Sequence, residues 1–556
     1  MMKVAVTLSL AAVGGIRMAG ASNSNAADIA SGSMPVYGDD VPGLQTTEIL
    51  KNGTIRCHGA RPLTTDILFH RDVPVKLRDN VTMCTDIYRP VGDETLPAIV
   101  AWSPYGKEVG GQWLDDITDR DGVPLGAVSE LQKFEGPDPA YWVQQGYVVL
   151  NPDARGAGSS EGNTTFWGRQ LAEDGYDFVE WAAEQDWCSG EIGMSGNSWL
   201  AVSQWFIAAQ KPPHLSAIAP WEALTDMYRD SSNRGGIAVA AFNEEIITTF
   251  SGPIYIEDVP RMTLNNQLMN PYWEDKMAQL DNITLPAYVV ASYTNAWLRV
   301  HNTSGWYDYY RAQHMEDLNR FFDHYLKDKV NGWESTPRIR LAILDPGHED
   351  ELNRPESEWP LSGIQNTCLY LHPNGSLSSQ YPTTASRVGY RVNSTSPELN
   401  WLFPITEVTQ LIGYMNLRLW VQGLESDDME LAITVQKTDA SGNVYNISSV
   451  GETSSTISAT GYLRVSARQL DKAKSTPAEP YYTFDREQLL LNDEVVLVKI
   501  GIWPMAMRFY PGEHPRLTVA ANAIVSADTD GGFGIASVPV PATEETFDPA
   551  LNTAIK

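Results

Sequence analysis

Ser198 is the residue best suited to chemistry, and it lies in the segment 193–205, which reads GMSGNSWLAVSQW. The segment follows a predicted acidic helix and a short strand and opens an apolar stretch suited to a helix, so it predicts a sharp strand-to-helix turn at Ser198. At such a turn the hydroxyl is held above the sheet, Gly196 relieves crowding, and the N–H of Trp199 points at a developing oxyanion. The glycine usual two residues after the serine is replaced by Leu200. A serine at an ordinary tight turn is the alternative.

Three further segments sharpen this interpretation. Residues 77–90 read LRDNVTMCTDIYRP, residues 104–107 read PYGK, and residues 153–162 read DARGAGSSEG. With GNSWLA, and in this order and spacing, they resemble the cocaine-esterase-like hydrolases (CocE/NonD, Xaa-Pro dipeptidyl-peptidase-like), over roughly residues 66–550. In that family the turn usually reads G-x-S-Y-x-G, so this chain has Trp for the Tyr and Ala for the last Gly.

The resemblance implies an α/β-hydrolase and assigns roles at the site. Ser198 would be the nucleophile, and the hydroxyl of Tyr105 and the backbone N–H of Trp199 would form the oxyanion hole. Both donors are neutral, and they stabilise a developing alkoxide without a metal or a second charge. Asp153 and Arg155 fit better as a structural pair that holds their turn. No cofactor and no metal are implied.

The acid is harder to place, because the sequence departs from the family pattern after the predicted strand at 287–292. In the family an Asp follows that strand, a crossover helix intervenes, and the base His follows the next strand. Here Asn295 stands at the expected place of the acid, and a second strand ending at His301 follows at once. Parallel neighbours need a crossover of a dozen or more residues. Either a helix is missing from this sequence, or the edge of the sheet is built differently.

His301 is the predicted base, because it ends that second strand, and a solvated loop histidine is the alternative. His348, after a predicted strand at 339–343, is the second candidate for the base. Asp308 lies in GWYD, the family's acid motif, but follows His301 along the chain. Since a triad is defined by geometry and not by chain order, Asp308 is the candidate acid beside Asn295.

The pattern of the elements predicts two domains. Between residues 66 and 345, strands alternate with helices, which is typical of a mainly parallel sheet with helices on both faces. The predicted strands are 98–103, 147–151, 192–195, 217–220 and 287–292, and the predicted helix is 170–184. Residues 222–283, rich in Met, Phe, Trp and Tyr, predict a largely helical cap over the sheet.

Beyond residue 345 the helical pattern disappears. Short alternating segments recur between Gly, Asn, Asp and Ser residues, which is typical of an all-β sandwich or jelly roll, predicted here for 346–556. These segments are 417–421, 430–435, 495–502 and 516–521.

Charge and the chain's start bear on partners and location. The net charge of −29 argues against nucleic acid and anionic membranes as partners. Residues 1–21 resemble a secretory signal peptide, followed by an extension at 22–65, and no later apolar run has the roughly twenty residues of a membrane span. Four cysteines permit one or two disulfides, with four buried free thiols as the alternative.

Eight N-x-Ser/Thr acceptors support secretion as a glycoprotein. They are Asn52, Asn80, Asn163, Asn282, Asn302, Asn374, Asn393 and Asn446.

Together these features predict a secreted serine hydrolase that cleaves an ester or amide bond of a small molecule through an acyl-Ser198 intermediate. Two alternatives stay open: an acyltransferase that passes the acyl group to an alcohol or amine, and a catalytically impaired family member used for binding. The missing acid and the missing crossover motivate the second of these. The sequence does not select a substrate or an oligomeric state.

Overall fold

The computed structural model describes residues 45–107, 114, 118–247, 255–290, 297–384, 386–391, 398–424, 426–445, 459–492, 494–521 and 544–547. The predicted signal peptide at 1–21 and the segment 291–296 with Asn295 lie outside the described residues. The predicted extension at 22–65 is described from residue 45 onward.

One large mixed sheet occupies the first part of the chain. In chain order the strands are β1 (Thr46–Leu50), β2 (Ile67–Lys76), β3 (Thr82–Pro90), β4 (Leu96–Val100), β5 (Val148–Pro152), β6 (Cys188–Asn197), β7 (Leu215–Trp221), β8 (Asn233–Arg234), β9 (Ile237–Ala238), β10 (Tyr288–Val290), β11 (Trp297–Arg299), β12 (Ile339–Ile343) and β13 (Glu351–Glu356). Among the described residues, β8 and β9 form a separate hairpin, and the other eleven strands lie in the order β1-β2-β3-β5-β4-β6-β7-β10-β11-β12-β13.

The centre of this sheet is parallel, and its edges are antiparallel. Strands β5, β4, β6, β7, β10, β11 and β12 run parallel to their neighbours, whereas β1, β2 and β3 and the last strand β13 pair antiparallel. The central strands are apolar and buried, as parallel strands covered on both faces are. A strand lies at each of the five predicted positions, although β4 already ends at Val100 and residues 291–292 of the last prediction lie outside the described residues. Strands β1 and β13 extend the sheet beyond the range 66–345.

Helices cover the sheet and form the cap. They are α1 (Pro139–Trp142), α2 (Arg169–Ala183), α3 (Trp199–Ala209), α4 (Ala241–Ile247), α5 (Val259–Asn265), α6 (Pro271–Asp275), α7 (Gly305–Tyr310) and α8 (Ala312–Lys327). The helix predicted at 170–184 is α2. The predicted cap holds α4, α5, α6 and also the β8–β9 hairpin. Its short helices start at polar caps: the Asp258 carboxylate accepts from Arg261 N–H, and the Asn270 side chain accepts from Tyr272 N–H.

Strands β10 and β11 are parallel neighbours, with Tyr288 opposite Trp297. Only the six residues 291–296 separate them along the chain, against the dozen or more of an ordinary parallel crossover. The edge of the sheet is therefore built without the crossover helix that the family pattern places here.

The second part of the chain is a β-sandwich, as predicted. Its strands are β14 (Tyr370–Leu371), β15 (Leu377–Ser378), β16 (Val388–Arg391), β17 (Glu398–Leu402), β18 (Thr409–Gly423), β19 (Glu430–Thr438), β20 (Ala459–Arg464), β21 (Val496–Phe509), β22 (His514–Ala520) and β23 (Glu544–Phe547). Within the described residues, two antiparallel sheets have the orders β16-β23-β18-β21 and β17-β22-β19-β20, and β14 pairs with β15. A Cβ on Gly461 would lie 2.4 Å from the carbonyl oxygen of Gly501, so glycine is needed where β20 crosses β21.

Three of the cysteines, Cys84, Cys188 and Cys368, are free thiols, and the first two are buried. Burial raises the pKa of the Cys84 thiol to about 11, which keeps it protonated and unreactive. Cys84 and Cys188 therefore fit the alternative of buried free thiols, whereas Cys368 is free but only half-buried. No helix in the described part of the chain is long and apolar enough to cross a membrane.

Candidate active site

Ser198 occupies the turn between β6 and α3 in a strained backbone conformation. Its φ is +53° and its ψ is −117°, a region that residues with a side chain seldom adopt. The Ser198 N–H donates to the carbonyl of Trp221 at 2.9 Å, and its own carbonyl accepts from the Val202 N–H at 3.0 Å. The turn is thus fixed on one side by the neighbouring strand β7 and on the other by the first turn of the helix.

Gly196 is required for this turn. Its φ is +147°, and a Cβ placed there would lie 2.4 Å from the Cβ of Leu200. Leu200 stands where the usual pattern has a second glycine, and its side chain is fully buried. The chain therefore keeps the glycine that the turn needs and fills the space above it with leucine.

Tyr105 reaches the site from the loop after β4. Its hydroxyl faces both Ser198 and Glu135, and each of them shifts the pKa of the phenol. Its buried ring packs edge-on against Phe134 and Trp199, with centroids 5.5 and 6.3 Å apart. Burial, and next the charge of Glu135, raise the pKa of Tyr105 well above its usual value, so the phenol is neutral.

Trp199 is the first residue of α3. Its buried indole packs at 4.2 Å from the ring of Trp167 and at 5.0 Å from that of Phe166. The N–H groups in the first turn of a helix have no intrahelical acceptor, so they are available to an anionic ligand. The two donors expected at an oxyanion hole therefore lie on either side of the Ser198 turn.

A buried network of charges holds the Tyr105 loop. The Lys107 ammonium lies 2.8 Å from a carboxylate oxygen of Asp72 and 3.4 Å from one of Asp86. The Lys107 N–H donates to Asp153 at 2.9 Å. The expected pairing of Asp153 with Arg155 was wrong, because Arg155 instead binds the buried Asp174 and the exposed Asp79.

Glycine packs against Asp153 in the same turn. A Cβ on Gly158 would meet the Asp153 carboxylate at 2.1 Å, which explains one glycine of the DARGAGSSEG segment. This carboxylate also accepts from the Ser159 N–H at 3.0 Å. Asp153 thus ties the segment at 153–162 to the loop that carries Tyr105.

His301 follows β11 and is held between two carboxylates. Its Nε2 lies 2.5 Å from Oε1 of Glu222, and its Nδ1 lies 3.9 Å from Oδ1 of Asp308. Burial lowers the pKa of His301, but the charges of Asp308 and Glu222 outweigh it, and the net pKa is raised. Within the described residues, no hydrogen bond joins His301 to Ser198.

Asp308 lies in α7 and is fully buried. It forms a two-pronged ion pair with Arg299, one contact of which is 3.0 Å, and its Oδ1 lies 3.0 Å from Nδ1 of His314. Burial alone would raise the pKa of Asp308, but Arg299, His301 and His314 hold it well below the usual value. An ionised carboxylate therefore faces the Nδ1 side of His301, although it follows that histidine along the chain.

His348 lies elsewhere. Its side chain is 48% exposed, its Nε2 is 3.8 Å from Glu513, and its ring packs at 4.5 Å from that of Tyr510. Both contacts belong to the sandwich. The structure does not bring this second candidate base to Ser198.

Sequence reasoning missed Glu222. It follows β7 directly with a φ of +59°, and its N–H donates to the carbonyl of Val290 at 3.2 Å. Since Ser198 bonds the preceding residue, Trp221, the carboxylate lies at the strand ends between Ser198 and His301. A carboxylate directly after a parallel strand, at the edge where ligands bind, was the signal that could have found it.

Glu135 is a second residue that sequence reasoning missed. Its buried carboxylate accepts at Oε1 from Trp306 Nε1 at 2.7 Å and from Asn197 Nδ2 at 3.3 Å. Its Oε2 has no hydrogen-bond partner among the described residues, and the Tyr105 hydroxyl lies nearby. Burial is the main reason that its pKa is raised to about 8, and the nearby Glu222 adds to the effect. Glu135 lies in an irregular segment without strand or helix periodicity, so no pattern pointed to it.

The described residues contain no group of three or more His, Cys, Asp or Glu side chains that could hold a metal ion. What they do bring together are neutral donors around a serine and a histidine between carboxylates. This set of groups is suited to nucleophilic attack on a carbonyl and to proton transfer.

Two family profiles match the chain. Residues 79–252 match the X-Pro dipeptidyl-peptidase (S15 family), and residues 331–532 match the X-Pro dipeptidyl-peptidase C-terminal non-catalytic domain. The first match contains Tyr105, Glu135, Ser198 and Glu222, and the second covers most of the sandwich.

Among relatives by sequence, the cocaine esterase of Rhodococcus sp. (strain MB1 Bresler) is 34% identical over 158 residues, 28% of this chain and 24% of that protein. The alignment thus spans about a quarter of the relative's length.

Among solved structures, a CocE/NonD family hydrolase from Staphylococcus aureus has a TM-score of 0.81 and 29% identity, covering 88% of this chain and 93% of that one. An aminopeptidase from a Thaumarchaeota archaeon of marine sediment, at 14% identity and a TM-score of 0.63, covers 87% of this chain and 95% of that one and shares the fold. Since the likeness to the Staphylococcus aureus hydrolase takes in both the sheet with its Ser198 turn and the sandwich, the chain belongs to the CocE/NonD-like family.

Proposed function

We propose that this chain is a serine hydrolase that cleaves an ester or amide bond of a small molecule through an acyl-Ser198 intermediate. The observation that carries the proposal is Ser198 itself, on a strained turn that faces the buried, neutral phenol of Tyr105. The similar proteins support it, because one is a hydrolase and another an esterase by description.

In the proposed reaction the Ser198 hydroxyl oxygen attacks the substrate carbonyl, and its proton passes to His301. The oxyanion of the tetrahedral intermediate accepts hydrogen bonds from the Tyr105 hydroxyl and the Trp199 N–H. Collapse of the intermediate expels the alcohol or amine, which takes the proton from His301 and leaves acyl-Ser198. Water then repeats the same steps and releases the acid.

The base must first change partners. His301 Nε2 contacts Glu222 rather than Ser198, so this nitrogen has to exchange the carboxylate for the serine hydroxyl. Glu222 and Ser198 are close to each other, because the Ser198 N–H donates to the carbonyl of Trp221, the residue before Glu222. The imidazole therefore has only a short way to move. Nδ1 remains on the side of Asp308, which we propose as the acid that orients and stabilises the imidazolium.

A fluorophosphonate probe tests the proposal, since only an activated serine reacts quickly. We expect stoichiometric labelling, mapped by mass spectrometry to the peptide that holds Ser198, and loss of labelling after heat denaturation. Folded protein that remains unlabelled, or a label on another serine, contradicts the proposal. A panel of p-nitrophenyl esters and Xaa-Pro anilides then separates esterase from peptidase activity.

A catalytically impaired family member used for binding is the second candidate function. The contact of His301 Nε2 with Glu222, in place of Ser198, favours it. In that case the probe should label Ser198 no faster than it labels a surface serine, and the panel should show no turnover above that of the Ser198→Ala variant.

We also propose that the chain is secreted as a glycoprotein. Exposed acceptor side chains support this proposal: Asn52, Asn80, Asn163, Asn282 and Asn374. Asn302 is half-buried and bonds Asp350 at 2.7 Å, while Asn393 and Asn446 lie outside the described residues. Expression in a glycosylating host should give medium-borne protein whose mass falls on treatment with an N-glycosidase, whereas intracellular, unglycosylated protein contradicts the proposal.

A further inference from the structure

We infer that Glu135 is a positioning residue that sets the direction of the Tyr105 hydroxyl and so makes the oxyanion hole depend on pH. The inference rests on the proposed function, because it takes Tyr105 as a donor to the oxyanion. It adds a regulatory group outside the expected set of Ser198, His301, Asp308 and the two donors.

The position of Glu135 is fixed by contacts on several sides. Trp306 Nε1 and Asn197 Nδ2 both donate to its Oε1, at 2.7 and 3.3 Å, and its backbone carbonyl accepts from the Asn197 N–H at 3.0 Å. Its φ is +66°, and the residue is 2% exposed. Asn197 directly precedes Ser198, so Glu135 is held against the nucleophile turn itself.

Hydrogen counting shows why this carboxyl group matters. The Tyr105 hydroxyl has one proton to donate, and it lies beside both Ser198 and Glu135, whose Oε2 has no hydrogen-bond partner among the described residues. If Glu135 is ionised, it can only accept, and the phenol proton turns toward it. If Glu135 is protonated, it can donate to the phenol oxygen, and the phenol proton is free to point at Ser198 or at the oxyanion formed there.

The surroundings favour the protonated form near neutral pH. The groups that face Glu135 are the donors Asn197 and Trp306, the phenols Tyr105 and Tyr310, and the like-charged Glu222. Within the described residues, no Lys or Arg forms an ion pair with this carboxylate. Burial and the charge of Glu222 are consistent with the raised pKa of about 8.

Activity should therefore fall as pH rises through the pKa of Glu135. Above that pKa, the Glu135 carboxylate competes with the oxyanion for the only phenol proton. Loss of one donor to an oxyanion lowers kcat by about 10²–10³. Since Trp199 N–H does not titrate, the remaining activity at high pH reaches a plateau instead of zero.

The test is the pH dependence of kcat from pH 6 to 10 on an ester substrate that the wild type turns over. We compare the wild type with Glu135→Gln, Tyr105→Phe and the double variant, and Glu94→Gln is the matched control because it removes an exposed carboxylate far from this network. The wild type and the control should lose activity with an apparent pKa of about 8. Glu135→Gln should lack this decline, because an amide N–H donates to the phenol oxygen at every pH.

Tyr105→Phe should have a low kcat at every pH and should lack the decline of kcat at high pH. The double variant should have the same kcat and pH profile as Tyr105→Phe. A decline that persists unchanged in Glu135→Gln or in Tyr105→Phe overturns the inference. If Ser198→Ala retains turnover, the proposed function fails first; if Ser198 is essential but the decline does not follow Glu135, only this inference fails.

A second measurement does not depend on the variants' activity. Infrared difference spectra of the wild type between pH 6.5 and 9.5 should show a protonated carboxyl C=O band that disappears as pH rises and that Glu135→Gln lacks. Should Glu135→Gln fail to fold, ¹³C-labelling of glutamate assigns the band to a glutamate. Its persistence in Glu430→Gln and in Glu479→Gln then assigns it to Glu135, because burial raises the pKa of those two carboxyls to about 7 as well. Absence of any such band at pH 6.5 overturns the inference.

Discussion

The two halves of the candidate site are built in different ways. The nucleophile half, at the ends of β4 and β6, holds Ser198 and Tyr105 through contacts close by along the chain or across one strand pair. The acid–base half assembles Glu222, His301 and Asp308 from β7, β11 and α7, and β10 lies between the two strands in the sheet.

The halves also differ in their electrostatics. Around Ser198 the donors are neutral, whereas around His301 two carboxylates and Arg299 lie within a few ångströms of one another. A neutral donor set fixes geometry without repulsion. Charged groups such as those around His301 can exchange partners as protons move. We therefore expect the arrangement during catalysis to differ from the structure in the acid–base half, where His301 would exchange Glu222 for Ser198.

Removing the nucleophile gives the largest expected effect. Ser198→Ala should lower kcat by about 10⁶, as loss of a triad serine does, and abolish probe labelling. Ser195→Ala is the matched control three residues earlier: it loses a buried hydrogen bond to Tyr309, at 2.8 Å, and should lower the free energy of unfolding by about 1 kcal/mol while activity persists. Turnover assays and thermal melts check both, and an inactive Ser195→Ala beside an active Ser198→Ala would mean that the turn is misassigned.

Changing the acid comes next. If Asp308 orients His301, Asp308→Asn should lower kcat by about 10⁴, and Asn295→Asp should change it less than threefold, since the acid is already supplied. Because Asp308 also pairs with Arg299, a circular-dichroism melt must show that Asp308→Asn is folded. A tenfold or greater gain in Asn295→Asp, together with a mild Asp308→Asn, would place the acid at Asn295 instead.

The two halves of the site also differ in how well the sequence predicted them. The Ser198 turn follows from local sterics, since Gly196 and the flanking strand and helix are all visible in one short segment. The strand and helix positions and the sandwich followed from periodicity in the same way. Glu135 and Glu222 reach the site only through the packing of an irregular loop and of a strand end, and no short-range pattern encodes such proximity. The sequence left Asn295 and Asp308 as candidate acids, and it is the fold of α7 that brings Asp308 to 3.9 Å from Nδ1 of His301.

Within the nucleophile half, Tyr105→Phe should give a smaller loss than either change above. Removal of one oxyanion donor should lower kcat by about 10²–10³ and leave KM within about threefold, because the ground-state carbonyl depends weakly on that donor. The buried ring keeps its packing against Phe134, so the thermal midpoint should stay nearly constant. Steady-state kinetics check this prediction, and an effect confined to KM would mean that Tyr105 shapes the pocket.

The smallest expected effect concerns Glu222, and it has the opposite sign. Burial lowers the pKa of His301, while Asp308 and Glu222 raise it to a net increase, so the neutral imidazole that a base requires forms only at higher pH. Glu222→Gln removes one of these charges and frees Nε2 for Ser198. The acid side of the kcat/KM profile should therefore move to lower pH, with a gain of up to about tenfold near pH 6 and little change at pH 9.

Stability should respond to the same change with a pH dependence of its own. A histidine whose pKa is raised on folding contributes stability that is fully present below its unfolded value, near 6.5, and is lost as pH rises through the folded value. Glu222→Gln should then lower the thermal midpoint more at pH 5.5 than at pH 8.5. A loss of activity of about 10⁴ at every pH, in place of the gain, would identify Glu222 as the triad acid. In that case Nδ1 of His301, rather than Nε2, would take the Ser198 proton, and Asp308 would serve to hold Arg299.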